Sequence, residues 1–274
     1  MEELELVFYN RSTLLEGPSW DKERNGILCV SIEQNCVYYL FLETGAIRTY
    51  QMDSQVGCAV FKDENTILVA CYSGIYEIDF ESGNKKFIVN INENSLLRYN
   101  DGKMDPKGRF IVGTTGYKCL AEKQNFLYSM ENEKVRVLEQ ETTISNGIGF
   151  SNDGKYMYFV DTPTRKVSRY YYDINTGAAS FDKDVITIEN EGLPDGICVD
   201  SDDMIWVAQW GSGKVCKYNP FTGEKLKEIV VPCQNVSSCC LGGTENEYLY
   251  ITTAQHDDNT RSEVLAGGLF RVRI

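Results

Sequence analysis

The sequence predicts an all-β protein, specifically a six-bladed β-propeller with four-stranded blades, and two observations lead to this prediction. Short runs rich in Val, Ile, Tyr and Phe recur between Gly, Asn and Asp turns, as in GILCVSI, TILVACY, RFIVGTT and YMYFVDT, and strong helical periodicity is lacking. These runs also belong to a repeating unit, which has a small-residue start, two apolar strands separated by a turn, and an aromatic third strand.

Six copies of the unit account for the whole chain. They begin at Glu16, Gly57, Asn100, Asn146, Asp195 and Ser238, and their aromatic strands lie near Tyr39, Tyr76, Tyr128, Tyr171, Tyr218 and Phe270. A repeat of about 40 to 50 residues with four strands has the length of a propeller blade rather than that of a helical solenoid repeat. A large β-sandwich would explain the strands but not the period.

The two ends of the chain are expected to meet in the last blade. The sequence ends at Ile274 on the strand LFRVRI, so we expect the N-terminal run at residues 4–9 to supply the outer strand of that blade. Such closure protects an otherwise open sheet edge. We expect residues 1–274 to form one domain, because single all-β domains often exceed the usual domain length.

The amino-acid composition and net charge of the chain limit the kinds of partner that are expected. Hydrophobic residues make up 42% and charged residues 24%, and no apolar run approaches the ~20 residues that span a bilayer, so no membrane is expected. The N-terminus has no export signal, which predicts a cytoplasmic protein. The net charge of −13 argues against nucleic acid as a partner. The oligomeric state is left open between a monomer and a weak dimer.

Cysteine and histidine usage excludes several kinds of site. The ten cysteines show no C-x-x-C spacing and are expected to be small core residues. The chain also lacks a G-x-S-x-G nucleophile elbow, and Gly211 to Gly213 is not a dinucleotide fingerprint. His256 is the only histidine and is expected at the surface. These features argue against a Ser-His-Asp hydrolase and a Rossmann enzyme.

The first strand of every propeller blade lines the central channel, so equivalent positions of the repeat form one ring. Four of the six ring positions carry polar oxygen groups: Glu16, Asn100, Asn146 and Asp195. Carboxylate and amide oxygens suit Ca²⁺, Mg²⁺ or Mn²⁺, and Zn²⁺ also accepts carboxylates. The alternative explanation is that each residue simply caps the entry to a strand or forms an Asx turn, but the recurrence of polar residues at equivalent positions favours a shared site.

Four strings of the sequence resemble the SMP-30/gluconolactonase/LRE-like family: LLEGPSW, RYNDGKMDPKGRF, SNGIGFSNDGKYMYFVDT and LPDGICVDSDDMIWVAQWGSGKV. The resemblance implies a lactonase with one divalent metal ion held by Glu16, Asn146 and Asp195. It also implies that Arg98 and Asn100 contact a small-molecule lactone substrate. One departure is Lys118, which stands near a place where regucalcin-like members carry an acidic residue.

The hypothesis that follows is metal-assisted hydrolysis of a sugar lactone, with Asp195 as the residue that takes the proton from water. Two alternatives remain. The same scaffold could serve another ester, including a phosphotriester, or it could be a calcium-binding propeller without chemistry, since fold alone does not give function. Cys58 and Trp210 are candidates to shape the pocket, with core packing as an equally good explanation for both.

Overall fold

The structure is a computed structural model, and it describes residues 3–132, 134–189, 192–255 and 263–274. The described residues form strands and one short 3-10 helix at Thr162–Thr164. In chain order the strands are β1 (Glu5–Tyr9), β2 (Leu15–Asp21), β3 (Gly26–Ser31), β4 (Cys36–Phe41), β5 (Ile47–Gln51), β6 (Val56–Asp63), β7 (Thr66–Cys71), β8 (Gly74–Asp79), β9 (Lys85–Val89), β10 (Leu97–Met104), β11 (Phe110–Gly116), β12 (Asn125–Glu131), β13 (Lys134–Thr142), β14 (Ser145–Phe150), β15 (Tyr156–Asp161), β16 (Lys166–Asp173), β17 (Ala178–Thr187), β18 (Leu193–Val199), β19 (Ile205–Trp210), β20 (Lys214–Tyr218), β21 (Lys225–Val230), β22 (Asn235–Gly242), β23 (Tyr248–Ala254) and β24 (Gly268–Arg273). The fold is therefore all-β over the described residues.

The strands form five sheets. Four of them have four antiparallel strands each, namely β2 to β5, β6 to β9, β10 to β13 and β14 to β17. The fifth has eight strands and contains β18 to β24 together with β1. Strand β1 pairs with β24, which brings the two ends of the chain together.

The prediction of six separate four-stranded blades is wrong. The structure has four separate four-stranded blades and one eight-stranded sheet. The joining contact is the pair between Trp210 at the end of β19 and Asn235 at the start of β22, which links the two halves of the larger sheet. This pairing continues a sheet across a boundary where the repeat predicts a break.

The arrangement is nevertheless propeller-like. Strands β2, β6, β10, β14, β18 and β22 pack side by side in that order, and β22 packs against β2 to close the ring. Apolar residues fill the space between neighbouring sheets. For example, Tyr39 of β4 meets Phe80, which follows β8, with ring centroids 4.8 Å apart. The closed ring of first strands brings distant parts of the chain to one axis.

Glycines allow the first strands to approach one another closely. A Cβ atom on Gly147 would lie only 2.6 Å from the backbone oxygen of Asp195 on the neighbouring strand. The strand register also breaks at this point, between Asn146 and Ile148. Asn146 and Asp195 thus lie within strands β14 and β18, so the Asx-turn explanation of their N-G and D-G pairs is wrong.

Nine of the ten cysteines are buried, and Cys119 is exposed, in keeping with the expected core role for most of them. No helix in the described part of the chain is long and apolar enough to cross a membrane.

Candidate active site

One end of the central ring opens into a pocket of about 260 Å³. This volume is near the lower end of the range for small-ligand sites, which is about 300 to 1,000 Å³. Its lining residues are Leu14, Glu16, Arg98, Asn100, Ile144, Asn146, Thr162, Leu193, Asp195 and Trp210. All five residues that the sequence singled out for the site therefore line one pocket.

These five residues come from four first strands. Glu16 lies on β2, Arg98 and Asn100 on β10, Asn146 on β14 and Asp195 on β18. A break in register follows close to each polar ring position, as between Glu16 and Ser19 of β2. Such irregularities commonly re-aim a side chain at a site.

The pKa values of both carboxyl groups in this pocket, those of Glu16 and Asp195, are raised. Burial raises the pKa of Glu16 to about 8, and the negative charge of Asp101 adds to the increase in pKa. Burial also raises the pKa of Asp195 well above its ordinary value, and the charges of Glu16 and Asp101 raise this pKa further. Arg98 lowers the pKa of both groups, but its effect is smaller. The site therefore has more negative charge than its own cation balances.

Asp195 is only 5% exposed, and its Oδ1 atom has no hydrogen-bond partner among the described residues. A buried carboxylate oxygen without a partner is costly unless a ligand or ion satisfies it. The Glu16 carboxyl group accepts a hydrogen bond at Oε2 from the backbone N–H of Gly17 over 3.0 Å. A side-chain hydrogen bond from Asn146 lowers the pKa of Asp195, so the atom left without a partner among the described residues is Oδ1 of Asp195.

Arg98 and Asn100 form the polar wall on β10. The Arg98 Nη1 group donates to the carbonyl of Tyr99 over 2.9 Å and to Oδ1 of Asn100 over 2.8 Å. Burial lowers the pKa of Arg98 to about 10, which still leaves the guanidinium charged at neutral pH. A partly buried, charged guanidinium beside two carboxyl groups is suited to bind oxygen atoms of a substrate.

The amide of Asn146 is held at both ends. Its Oδ1 accepts a hydrogen bond from Nδ2 of Asn100 over 2.7 Å, and its Nδ2 donates to Oγ1 of Thr162 over 2.9 Å. Thr162 also lines the pocket, a role that the sequence analysis missed. A signal was available, because Thr162 follows the strand that pairs with the start of β14, as the partners Ser145 and Asp161 show.

Glu16, Asn146 and Asp195 fit a divalent cation. They offer two carboxylates and one amide oxygen, which are hard oxygen donors, and one oxygen of Asp195 lacks any partner among the described residues. A cation between the carboxylates would also relieve the repulsion that raises their pKa values. Within the described ranges, no group of three or more His, Cys, Asp or Glu side chains could hold a metal ion, and the third donor proposed here is an amide.

A layer of apolar side chains stands next to the polar ring. Leu14, Ile144 and Leu193 each precede a proposed metal-binding residue by two positions, and all three line the pocket. Residues two apart on a strand share one face, as Leu193 and Asp195 do on β18, and Leu14 and Ile144 have the same spacing from one position before their strands. Trp210, the strand partner of Leu193, extends this apolar wall.

The model of the SMP-30/gluconolactonase/LRE-like family matches residues 14–255, a range that includes every residue of the polar ring. The chain belongs to the SMP-30/gluconolactonase/LRE-like family. The match leaves out only the two ends of the chain.

Individual members of the family are similar over nearly the whole length. Regucalcin of Danio rerio is 31% identical over 255 residues, which cover 92% of this chain and 86% of that protein. YvrE of Bacillus subtilis (strain 168), which is named a sugar lactone lactonase by inference, is 32% identical over 271 residues, covering 96% and 92%. The crystal structure of regucalcin from Agrobacterium tumefaciens strain C58, described as a calcium-binding protein, has a TM-score of 0.93 at 25% identity and covers 99% of this chain and 93% of that one.

The sequence also singled out Trp210, Cys58 and Lys118, and the structure places only one of these three residues in the pocket lining. Trp210 lines the pocket, whereas Cys58 is buried and does not. Lys118 is exposed, and its Nζ lies 4.8 Å from the centre of the Tyr117 ring rather than in the pocket lining. His256 lies outside the described residues.

Proposed function

We propose that this protein is a divalent-metal-dependent lactonase that opens a sugar lactone. The observation that carries the proposal is the convergence of Glu16, Asn146 and Asp195 in one pocket, where Arg98 only partly offsets the charges of the carboxyl groups. The name of the B. subtilis relative supports a lactone as the substrate class.

Glu16, Asn146 and Asp195 would hold the metal ion in this proposal. When bound, the ion supplies Lewis-acid chemistry by polarising the lactone carbonyl and offsetting negative charge in the transition state. The two carboxylates together balance the charge of a divalent ion, so the loaded site accepts a neutral substrate.

Asp195 acts as the general base in the proposed reaction. Its Oδ1, which has no hydrogen-bond partner in the described part of the chain, could accept a proton from the attacking water. The proton then passes to the departing ring oxygen of the lactone, which becomes the hydroxyl group of the product.

Arg98 and Asn100 orient the substrate. The Arg98 guanidinium has N–H groups beyond the one that contacts Tyr99 and Asn100, and these can donate to hydroxyl or ring oxygens of a sugar lactone. Orientation of this kind lowers the entropic cost of bringing the ester carbonyl and water together.

A second candidate substrate is a lactone or other ester with a hydrocarbon portion. The observation that favours it is the apolar wall of Leu14, Ile144, Leu193 and Trp210, whose aliphatic and aromatic side chains suit a hydrocarbon group better than a sugar hydroxyl. Both candidates use the same polar ring.

The test is a pH-indicator assay of metal-stripped protein with a panel of sugar lactones, alkyl lactones and simple esters, in which each divalent ion is added back in turn. Saturable lactone opening that depends on the ion is the expected result. Ion binding without turnover of any member of the panel would instead indicate a calcium-binding propeller without chemistry.

A further inference from the structure

A continuous series of hydrogen bonds crosses the pocket from β10 to β18. Arg98 donates to Oδ1 of Asn100, and Nδ2 of Asn100 donates to Oδ1 of Asn146. Nδ2 of Asn146 then donates to Oγ1 of Thr162, which itself donates to the carbonyl of Pro194. The four distances lie between 2.7 and 2.9 Å.

The chemistry at the Pro194 end fixes the direction of this series. A backbone carbonyl only accepts hydrogen bonds, so the single hydroxyl proton of Thr162 is used for Pro194. The Oγ1 atom of Thr162 is then left as an acceptor, and the atom of Asn146 that meets it must be the Nδ2 donor. The oxygen end of the Asn146 amide is therefore directed away from Thr162.

The Arg98 end of the series independently gives the same orientation of the Asn146 amide. A guanidinium group only donates, so the atom of Asn100 beside Arg98 must be Oδ1. The Nδ2 group of Asn100 then donates both to the carbonyl of Ser145 over 2.9 Å and to Asn146. The atom of Asn146 that accepts this bond must be Oδ1.

We propose that Thr162 is a positioning residue that fixes the side-chain amide of Asn146, so that Oδ1 and not Nδ2 is the end available to a divalent cation. This inference rests on the proposed metal site. An amide nitrogen has no free lone pair for a cation, so the opposite orientation would remove one of the three donors. Oδ1 keeps a second lone pair for the ion after it accepts from Asn100.

Asn100 holds the oxygen end of the Asn146 amide, and burial leaves the nitrogen end dependent on Thr162. Thr162 is 6% exposed and Asn146 is 7% exposed, so water has little access to replace a lost partner. Thr162→Val keeps the shape of the side chain but removes the hydroxyl. Nδ2 of Asn146 and the carbonyl of Pro194 then both lose a partner.

Calorimetric titration of metal-free protein with Ca²⁺ tests the proposal without any substrate. Thr162→Val is expected to weaken Ca²⁺ binding by about 10- to 100-fold, the usual effect of losing a group that orients a metal ligand. Thr162→Ser keeps the hydroxyl and is expected to bind Ca²⁺ as the wild type does. Thr162→Ala provides a second hydroxyl-free variant that adds no methyl group, and melting of each metal-free variant verifies folding.

The variant Asn146→Asp separates positioning from general destabilisation. A carboxylate offers oxygen at both ends, so its orientation no longer matters, and adding Thr162→Val to Asn146→Asp is expected to cause no further loss of Ca²⁺ affinity. An equal loss in both backgrounds, or unchanged affinity in Thr162→Val alone, would overturn the proposal. Absence of divalent-ion binding by the wild type would instead overturn the metal site on which the proposed function depends.

Discussion

The carboxylate of Glu16 raises the pKa of Asp195, although the two residues lie on β2 and β18 of different sheets. Closure of the ring of first strands brings these charges into one pocket. In a metal-free protein burial and the charge of Glu16 oppose ionisation of Asp195, and burial and the charge of Asp101 oppose ionisation of Glu16. A divalent cation between the two carboxylates would favour their charged forms.

The first prediction concerns the pH dependence of stability without metal. A carboxyl group whose pKa is raised in the folded state keeps its proton there while the unfolded chain has already lost it. Between the ordinary value of 4.5 and the folded pKa of about 8 for Glu16, rising pH therefore favours unfolding. We expect the Tm of metal-free protein to fall across this range and Ca²⁺ to raise it most near the upper end.

Matched variants isolate the contribution of Glu16. Glu16→Gln should flatten the pH dependence of the metal-free Tm, whereas Glu43→Gln, at an exposed position, should leave it unchanged. Identical pH profiles for wild type and Glu16→Gln would contradict the assigned cause. Differential scanning fluorimetry in buffers of constant ionic strength gives the readout.

The second prediction concerns Arg98. Arg98→Lys keeps a positive charge but loses the planar array of donors that contacts Tyr99 and Asn100. We expect KM for a sugar lactone to rise about 10-fold, as for loss of a charge-assisted hydrogen bond, with a smaller change in kcat. Arg48→Lys, a partly exposed residue paired with Glu81, is the control and should have wild-type kinetics. An unchanged KM in Arg98→Lys would exclude substrate contact by this residue.

The third prediction concerns the apolar wall. If the substrate has a hydrocarbon portion, Trp210→Ala should reduce kcat/KM for an alkyl-substituted δ-lactone by about 10-fold or more, because buried apolar contact is lost. The reduction for glucono-δ-lactone should be smaller. Trp210→Phe retains an aromatic ring and should recover most of the difference. Equal losses for both substrates would count against selection by this wall.

The fourth prediction concerns the pairing of β1 with β24. Phe8 is 8% exposed, and its ring centroid lies 5.4 Å from that of Tyr38, whereas Leu6 on the same strand is 38% exposed. Phe8→Ala should lower the free energy of unfolding by about 3 kcal/mol, and Leu6→Ala should have a clearly smaller effect. Urea denaturation measures both. Similar losses would mean that β1 is not packed as the structure describes.

The repeat in the sequence was sufficient to find the polar site. Glu16, Asn100, Asn146 and Asp195 occupy equivalent repeat positions, and ring closure turns equal position in the repeat into proximity in space. The number of separate sheets could not be predicted in this way. It depends on one strand pair, Trp210 with Asn235, and nothing in the repeat distinguishes that boundary from the others.

The remaining features of the site required neighbouring strands to be placed. Thr162 lies outside the repeat starts, and its role depends on contacts with Asn146 and Pro194 from two different strands. In the sequence, an apolar residue stands two positions before each proposed metal-binding residue. That these residues form one apolar layer could be recognised only when the structure showed which strand face lines the pocket. The single-domain and cytoplasmic assignments stay predictions.

Metal-dependent lactone opening is expected to depend on Asp195. The most direct measurement is the rate of lactone opening by metal-stripped wild type, Asp195→Asn and the exposed control Asp202→Asn before and after a divalent ion is restored. We predict that the ion restores turnover in wild type and Asp202→Asn, and that Asp195→Asn, although folded, is slower by about 100-fold or more. Wild-type turnover by Asp195→Asn, or turnover that is unaffected by removal of the ion, would contradict this account.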